Sequence, residues 1–247
     1  MNTETKRKLN AMNMQDFNSA IETQEANPGF YLPMSFDERF NAIVDDVFQR
    51  RHNEKIQRRI KTAKLRYPAA SLAEIDFASR HLNRGLIYQL ATMNFIDTST
   101  NIIIQGFTGS GKTYLSCVLA KEACKKDIRT FTIRLPELIQ KRSDEKILHR
   151  ENKFLNKLAA FDLLVIDEWL IFSLSDDDIK FLYELFEMRY GRASTIFVGQ
   201  YPVKDWHSRL GGGAHADSIL DRIVHNSVTI DSGNTNMREL IDSKKYK

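Results

Sequence analysis

Residues 106–113 carry three glycines, a lysine and a threonine in the pattern G-x-x-x-x-G-K-T. A β-branched run at residues 101–105 precedes this loop, and apolar residues at helical spacing follow it over 114–123. A strand, a glycine-rich loop and a helix in this order gather backbone N–H groups at a helix N-terminus, which is a site for polyanionic phosphate. We therefore predict a nucleotide site in which Lys112 reaches the β- and γ-phosphates and the Thr113 hydroxyl binds Mg²⁺.

The predicted nucleotide contacts come from the whole loop and the residue after it. A glycine lacks the Cβ that would hinder a close approach between backbone and phosphate. The alternative is a glycine-rich turn that fits the pattern by accident. The predicted cofactor-binding residues are Gly106, Phe107, Thr108, Gly109, Ser110, Gly111, Lys112, Thr113 and Tyr114.

A second apolar run, residues 163–166, ends in two adjacent carboxylates, Asp167 and Glu168. Successive side chains of a strand point to opposite faces, so the two acids are expected to do different work. We predict that Asp167 faces the metal held by Thr113, and that Glu168 orients or deprotonates the water that attacks the γ-phosphate. The alternative is a solvated strand end, where acids are common. The Asp-Glu pair favours ATP hydrolysis over G-protein or kinase chemistry.

Three more polar residues follow later apolar runs. Gln200 comes directly after residues 195–199, and its amide is a candidate contact to the γ-phosphate or the attacking water, against the alternative of a solvated loop. Arg222 is a candidate arginine finger for the nucleotide of a neighbouring subunit. The local alternative for Arg222 is a pair with Asp221 or a charge at a helix C-terminus. Arg238 is a weaker candidate for a phosphate contact within its own chain.

The alternation of strand and helix patterns from residue 100 onward predicts an α/β fold. Strands are predicted at 102–105, 130–134, 163–167, 195–199 and 228–230, and helices at 113–126, 136–160, 176–190 and 216–225. This order implies a parallel five-stranded sheet flanked by helices on both faces. Ligands of such sheets bind at the carboxyl ends of the strands, where the glycine loop is found.

The first 68 residues have a different pattern and are predicted to form a small, all-helical N-terminal domain. Helices are expected over 6–26 and 36–66, the second beginning with a capping box between Ser35 and Glu38. Tyr67 and Pro68 end the second helix. The predicted domains are therefore residues 1–68, for binding DNA or a partner, and residues 69–247, for binding and hydrolysing ATP.

The second half of the predicted helix 36–66 is strongly basic. Eight cations stand against a single acid, Glu54, over residues 49–66. Such a stretch can neutralise phosphates of double-stranded DNA without regard to base sequence, although a solvated helical face is the ordinary alternative. The predicted DNA-binding residues are Arg50, Arg51, Lys55, Arg58, Arg59, Lys61 and Lys64.

The composition is that of an ordinary globular protein. The chain has 247 residues, of which 42% are hydrophobic and 28% charged, with a net charge of +4. It contains no apolar run of about 18 residues and no apolar N-terminal signal core, so we expect a cytoplasmic location and no membrane span. The two cysteines, Cys117 and Cys124, lie on one face of one predicted helix and are expected to be small buried residues.

Several longer stretches resemble one family of AAA+ ATPases. GFTGSGKT, LLVIDEW, STIFVGQYPVKDW and ADSILDRIVHNSV are similar to the IstB-type transposition helpers and to the related DnaC-type helicase loaders. SFDERFNAIVDD and PAASLAEIDF also resemble the IstB N-terminal half, and the resemblance extends from about residue 9 to residue 240. It implies that 106–113 is the Walker A loop, Asp167 and Glu168 the Walker B pair, Gln200 sensor 1 and Arg222 the arginine finger. Arg238 stands where the family often has G-E-S-x-R as sensor 2, and the stretch GNTNMR departs from it here.

The resemblance also implies a function. It implies ATP and Mg²⁺ as cofactors, a homo-oligomer completed by Arg222, and ATP-dependent, non-sequence-specific assembly on target DNA for an IstA-type partner transposase. The chain lacks the carboxylate clusters of a strand-transfer enzyme, so it would assist transposition without cutting DNA. One alternative is a DnaC-like replicative helicase loader, which the IstB-like N-terminal stretches argue against. Another is a small-molecule P-loop kinase, which would need an acceptor pocket and an arginine-bearing lid.

Overall fold

Five parallel strands form one sheet in the computed structural model of the protein, which describes residues 1–233, 235–237 and 239. The spatial order is β2-β3-β4-β1-β5, so β4 lies between the strand before the glycine loop and the strand that ends in the acids. The predicted five-stranded parallel sheet is confirmed. The strands are β1 Asn101–Gln105, β2 Thr130–Arg134, β3 Leu163–Trp169, β4 Ser194–Gly199 and β5 Ser227–Asp231.

Helices flank the sheet and make up most of the N-terminal part of the chain. Those before β1 are α1 Thr3–Ala11, α2 Gln15–Ala26, α3 Pro28–Tyr31, α4 Phe36–Thr62, α5 Arg84–Ala91 and α6 Asn94–Asp97. Those after it are α7 Lys112–Lys125, α8 Leu135–Ile147, α9 Glu151–Ala159, α10 Asp176–Arg189, α11 Trp206–Arg209 and α12 Gly213–Val224. Within the described part of the chain, no helix has both the length and the apolar composition that crossing a membrane requires.

Two of the predicted helices are each divided in two. The pattern at 6–26 forms α1 and α2, and the pattern at 136–160 forms α8 and α9. Neither break contains glycine or proline. Instead, Asn13 and His149 adopt left-handed backbone angles, with φ of 56° and 54°. Asn and His adopt left-handed backbone angles more readily than most residues. This preference is weak, and the spacing of apolar residues does not reveal it.

β1 and α7 lie in the hydrophobic core. Ile102, Ile103 and Ile104 are completely buried, as expected for a central strand with helices on both faces. Cys117 and Cys124 of α7 are free, buried thiols, which confirms their prediction as small buried residues. Burial raises the pKa of both thiols, because an apolar environment disfavours the thiolate.

The chain divides into two compact units, Met1–Arg58 and Arg59–Lys247. The division therefore lies before the boundary predicted at residue 68. The residues between these two points belong to the larger unit: Ile60, Ala63 and Leu65 are buried, and the Ala63 carbonyl accepts a hydrogen bond of 2.8 Å from Thr132 on β2. This contact covers the edge of the sheet, which is an arrangement that local sequence patterns do not indicate.

Polar contacts link the helices of the smaller unit. Lys6 of α1 pairs with Glu22 of α2 at 2.7 Å, and the Gln24 amide donates to the Arg39 carbonyl at 2.8 Å. The predicted capping box is present, since the Glu38 carboxylate accepts from the Ser35 N–H at 2.7 Å. It fixes the start of α4 by satisfying an N–H group that the helix itself leaves unpaired.

Candidate nucleotide site

The glycine loop connects β1 to α7 in the predicted way. Gly111, directly before α7, has φ of +83°, a left-handed angle that side chains with a Cβ rarely adopt. A Cβ at Gly111 would also lie 3.1 Å from the Arg80 guanidinium. Because the loop ends in this tight turn, the first N–H groups of α7 remain free of helix partners and are available to an anion.

Lys112 is folded back over the loop. Its ammonium group donates to the carbonyl oxygens of Gly106 and Phe107, at 2.7 and 2.6 Å, and the residue is only 8% exposed. The Ser110 hydroxyl lies 2.5 Å from that of Ser232, which in turn donates to the Gln105 carbonyl. The Lys112 ammonium group therefore lies against the loop, and Ser110 and Ser232 link the loop to the end of β1.

Thr113 and Asp167 are in direct contact. The Thr113 hydroxyl donates to the Asp167 carboxylate at 2.9 Å, and Asp167 is 5% exposed. Hard oxygen donors suit Mg²⁺, which commonly takes one or two protein ligands and completes its octahedron with water and phosphate oxygens. The two side chains therefore fit the metal that was predicted for them.

Glu168 lies in an irregular part of β3. The pairing with β4 shifts register between Ile166 and Trp169, and Glu168 has φ of +56°. This bulge interrupts the regular alternation of the strand between the two acids. The Glu168 carboxylate lies 3.7 Å from the guanidinium of Arg134, at the end of β2. Arg134 was not predicted, since nothing in its sequence neighbourhood indicates that β2 and β3 are adjacent.

Gln200 follows β4 and reaches the glycine loop. Its side-chain oxygen accepts a hydrogen bond of 2.9 Å from the Thr108 hydroxyl. This contact follows from the strand order, because β4 lies between β1 and β3 and all three end at the same edge. The structure thus brings Gln200 together with Lys112, Thr113 and the two acids of β3.

Arg222 lies far from this edge. Its guanidinium pairs with Glu187 of α10, donates to the Ser218 carbonyl at 2.9 Å and lies over the Tyr183 ring at 5.1 Å. The carbonyl of the next residue, Ile223, accepts from Asn101, at the start of β1. Arg222 is therefore at the amino-terminal edge of the sheet, opposite the loop of its own chain, and its acidic partner is Glu187.

The remaining predicted nucleotide contacts have different positions. Tyr114 is half-buried, and its hydroxyl accepts from the Ser71 N–H at 3.1 Å and donates to Glu74. Burial, followed by the hydrogen bond to Glu74, raises the pKa of Tyr114. Phe107 is 66% exposed at the surface of the loop. Arg238 lies outside the described residues.

A cavity of about 370 Å³ opens beside the glycine loop. One wall is formed by the end of the loop and the first turn of α7. The other wall is formed mainly by residues that precede β1, together with Met237. Its lining includes Tyr67, Ile75, Arg80, Gly111, Thr113 and Tyr114.

The acidic triplet at residues 176–178 is the first turn of α10 and has a structural explanation. Ser175 caps the helix and forms a capping box with Asp178. Asp177 and Asp178 also pair with the buried Arg142, at 2.5 and 2.7 Å. These acids therefore complement the N-terminus of α10.

Several arginines of the basic stretch, residues 49–66, pair with acids that lie outside the stretch. In the smaller unit, Arg50 pairs with Asp46 at 2.6 Å and Arg51 pairs with Asp16. In the larger unit, Arg59 pairs with Asp127. These partners lie outside residues 49–66, so a count of charges within the stretch could not find them.

The other cations predicted to bind DNA are exposed. The Arg58 side chain is 80% exposed and pairs with Glu54 at 3.1 Å. Lys55 and Lys61 are exposed, and the Lys64 ammonium lies 5.8 Å from the centre of the Phe131 ring. Arg58 and Lys61 are therefore better placed to meet an external polyanion than Arg51 or Arg59.

The sheet order, the glycine loop and the Thr113–Asp167 pair define an ATP-binding protein with the AAA+ P-loop fold. Solved structures support this class. The DnaC helicase loader matches with a TM-score of 0.58 and 23% identity, covering 67% of this chain and 98% of that one. The replication initiator DnaA, bound to AMPPCP and single-stranded DNA, matches with a TM-score of 0.58 and 22% identity, covering 72% and 55% of the two chains.

The chain belongs to the IstB-like ATP binding protein family, whose model matches residues 7–245. An insertion sequence ATP-binding protein of Sinorhizobium fredii is 33% identical over 232 residues, which cover 94% of each chain. An insertion sequence ATP-binding protein of Pseudomonas fluorescens is 31% identical over 206 residues, covering 82% of this chain and 87% of that one. The resemblance noted in the sequence motifs is thereby confirmed.

Proposed function

We propose that this protein hydrolyses ATP and uses ATP-dependent self-assembly to bind double-stranded target DNA for a partner transposase. The observation that carries the proposal is the convergence of Lys112, Thr113, Asp167, Glu168 and Gln200 at one edge of the sheet. Membership of a family of insertion sequence ATP-binding proteins supports the link to transposition. In this proposal the protein assists transposition, and the partner transposase cuts the DNA.

Each side chain at this edge has a separate task in the proposed reaction. Lys112 and the loop N–H groups bind the phosphate chain, while Thr113 and Asp167 hold Mg²⁺, which supplies charge neutralisation when bound. Glu168 accepts a proton from the attacking water, and Gln200 orients that water or the γ-phosphate. The different contacts of the two acids, Asp167 with Thr113 and Glu168 with Arg134, support this division between metal binding and proton transfer.

Arg222 completes the site of a neighbouring subunit in this proposal. It lies at the edge of the sheet opposite its own loop, so a head-to-tail contact between subunits is the arrangement that brings it to a nucleotide. Mixing two inactive variants tests this. Arg222→Ala keeps an intact loop and Glu168→Gln keeps an intact finger, so an equal mixture is expected to recover up to about a quarter of wild-type turnover.

Glu187→Gln is the matched control for that experiment. It removes the partner of Arg222 within the chain but keeps the guanidinium, so it is expected to retain turnover. Phosphate release from each single variant and from the mixture gives the answer. A mixture no more active than its two components would exclude a finger that acts between subunits.

Two exposed cations of the basic stretch, Arg58 and Lys61, are expected to bind DNA phosphates. Arg58→Gln together with Lys61→Gln should weaken duplex binding and reduce the log–log salt slope by roughly 0.9 for each lost contact. Glutamine keeps helix propensity close to that of arginine and lysine, so α4 should remain folded. Fluorescence anisotropy of a labelled duplex over a salt series measures both quantities.

The control for DNA binding removes the same charge from another helix. Lys153→Gln together with Lys157→Gln changes two exposed cations of α9 and is expected to leave the slope unchanged. DNA-free ATP turnover should be the same in both double variants. If the Arg58 and Lys61 variant kept the wild-type slope and affinity, the basic stretch would be a solvated helical face.

A replicative helicase loader is the second candidate, and the fold shared with the DnaC helicase loader is the observation that favours it. The sheet and the glycine loop serve both functions equally well, so the partner must be tested directly. A pull-down with purified replicative helicase and, separately, with the transposase distinguishes them. Retention of the helicase alone would replace the transposition role with a loading role.

A further inference from the structure

Among the described residues of the larger unit, three arginines are buried, and two of these are fully compensated. Arg142 is 4% exposed and pairs with three carboxylates. Arg189 is 2% exposed and donates to four backbone carbonyl oxygens and to the Thr195 hydroxyl. A buried guanidinium with a structural role is thus surrounded by acceptors in this protein, as the cost of burying a charge requires.

Arg80 does not follow this rule. It is 2% exposed, and its Nε and Nη2 atoms have no hydrogen-bond partner among the described residues. Burial lowers the pKa of Arg80, and the charge of Asp76 opposes that shift only in part. A buried guanidinium with two nitrogens that lack acceptors among the described residues destabilises a fold, so an external acceptor offers the simplest reason for its position.

The surrounding backbone fixes where Arg80 points. The Asp76 carboxylate accepts from the N–H and the hydroxyl of Ser79, at 3.0 and 2.8 Å, which holds the turn before it. On the other side, Gly233 lies so close that a Cβ there would come within 2.5 Å of the Arg80 carbonyl oxygen. The guanidinium therefore lies against Gly111 and lines the cavity beside the glycine loop.

The position along the loop indicates which part of a nucleotide would be nearest. The cavity is lined by Arg80, Gly111 and Tyr114, at the end of the loop and the first turn of α7. Gln200 instead contacts Thr108, near the middle of the loop. In a loop of this type the backbone cradles the α- and β-phosphates, while the strand-end acids serve the γ-phosphate.

We propose that Arg80 binds the α- or β-phosphate oxygens of the nucleotide, as a second cation beside Lys112. The ligand class is nucleoside diphosphates and triphosphates. The planar guanidinium can form a bidentate contact with phosphate oxygens, which a lysine ammonium group cannot form. This inference rests on the proposed ATP function. It assigns a binding role to a residue that precedes β1 and lies outside every motif of the sequence.

Nucleotide titration of Arg80→Met tests the inference. The affinities for mant-ADP and mant-ATP, measured by fluorescence anisotropy with Mg²⁺, are expected to fall by a similar factor of about ten. A contact to the γ-phosphate would affect mant-ATP alone and would overturn the assignment. Arg84→Met is the matched control, because it removes an exposed arginine four positions away and should keep wild-type affinity.

Thermal unfolding without nucleotide separates a binding role from a structural one. Arg80→Met is expected to keep or raise the wild-type Tm, since it removes a buried cation whose Nε and Nη2 atoms lack acceptors among the described residues, whereas a structural role predicts a lower Tm. If Arg80→Met does not fold, Arg80→Lys decides: weaker binding of both nucleotides supports the inference, and wild-type affinity overturns it. Loss of nucleotide binding in the wild type itself would instead overturn the proposed function.

Discussion

Replacing Lys112 with alanine is expected to weaken MgATP binding roughly tenfold to hundredfold, because a hydrogen bond to a charged group contributes about 1.5–3 kcal/mol. The variant should also lose ATP-dependent assembly. Lys112 is buried within the loop and donates to two loop carbonyls, so its ammonium group is already at the site where phosphate oxygens would bind. Isothermal titration with MgATP and light scattering with and without ATP measure the two effects.

Lys125→Ala is the matched control for Lys112→Ala. Lys125 belongs to the last turn of the same helix, is exposed and pairs with Glu122 at 2.7 Å. Its loss should leave MgATP affinity and assembly at wild-type values. If Lys112→Ala bound MgATP and assembled as the wild type does, residues 106–113 would not be the nucleotide site.

Replacing Glu168 with glutamine is expected to slow ATP hydrolysis by about a hundredfold or more while ATP binding is retained. Glutamine has nearly the same shape as glutamate but cannot accept a proton from water. The side chain is 28% exposed at the end of β3, next to Asp167 but directed towards Arg134, so it can receive a proton without being a metal ligand. Single-turnover phosphate release at saturating ATP isolates this step from binding.

Glu137→Gln is the matched control for Glu168→Gln. The Glu137 carboxylate also pairs with Arg134, at 2.6 Å, but it lies on α8 and has no proposed part in the reaction. This variant should hydrolyse ATP at the wild-type rate. Wild-type turnover in Glu168→Gln would make Glu168 an ordinary strand-end acid and leave the proton acceptor to another group.

The parts of the fold that were predicted correctly depend on short-range patterns. Short apolar or β-branched runs marked all five strands. The runs of the three central strands, β1, β3 and β4, are almost completely buried, because a central parallel strand needs apolar side chains on both faces. The breaks between α1 and α2 and between α8 and α9 were missed, since they depend on the left-handed residues Asn13 and His149. The bulge at Glu168 was also missed, because register between neighbouring strands is a property of the assembled sheet.

The candidate site shows the same distinction. The glycine loop, the strand-end acids and Gln200 could be predicted because each follows directly from a recognisable strand. Contacts between residues that lie far apart in the sequence could not be predicted in this way. Arg134 reaches Glu168 through strand order, Arg222 meets Glu187 through packing of helices, and Arg80 reaches the loop through a turn fixed by its own backbone contacts.

ATP hydrolysis by the wild-type protein as a function of duplex DNA concentration tests the central claim most directly. Phosphate release should rise and saturate as duplex is added, should not respond to small metabolites that could accept a phosphoryl group, and should nearly vanish in Glu168→Gln. Phosphate release that never exceeds the buffer rate, with or without DNA, would contradict the proposal that this site hydrolyses ATP in the service of DNA transposition.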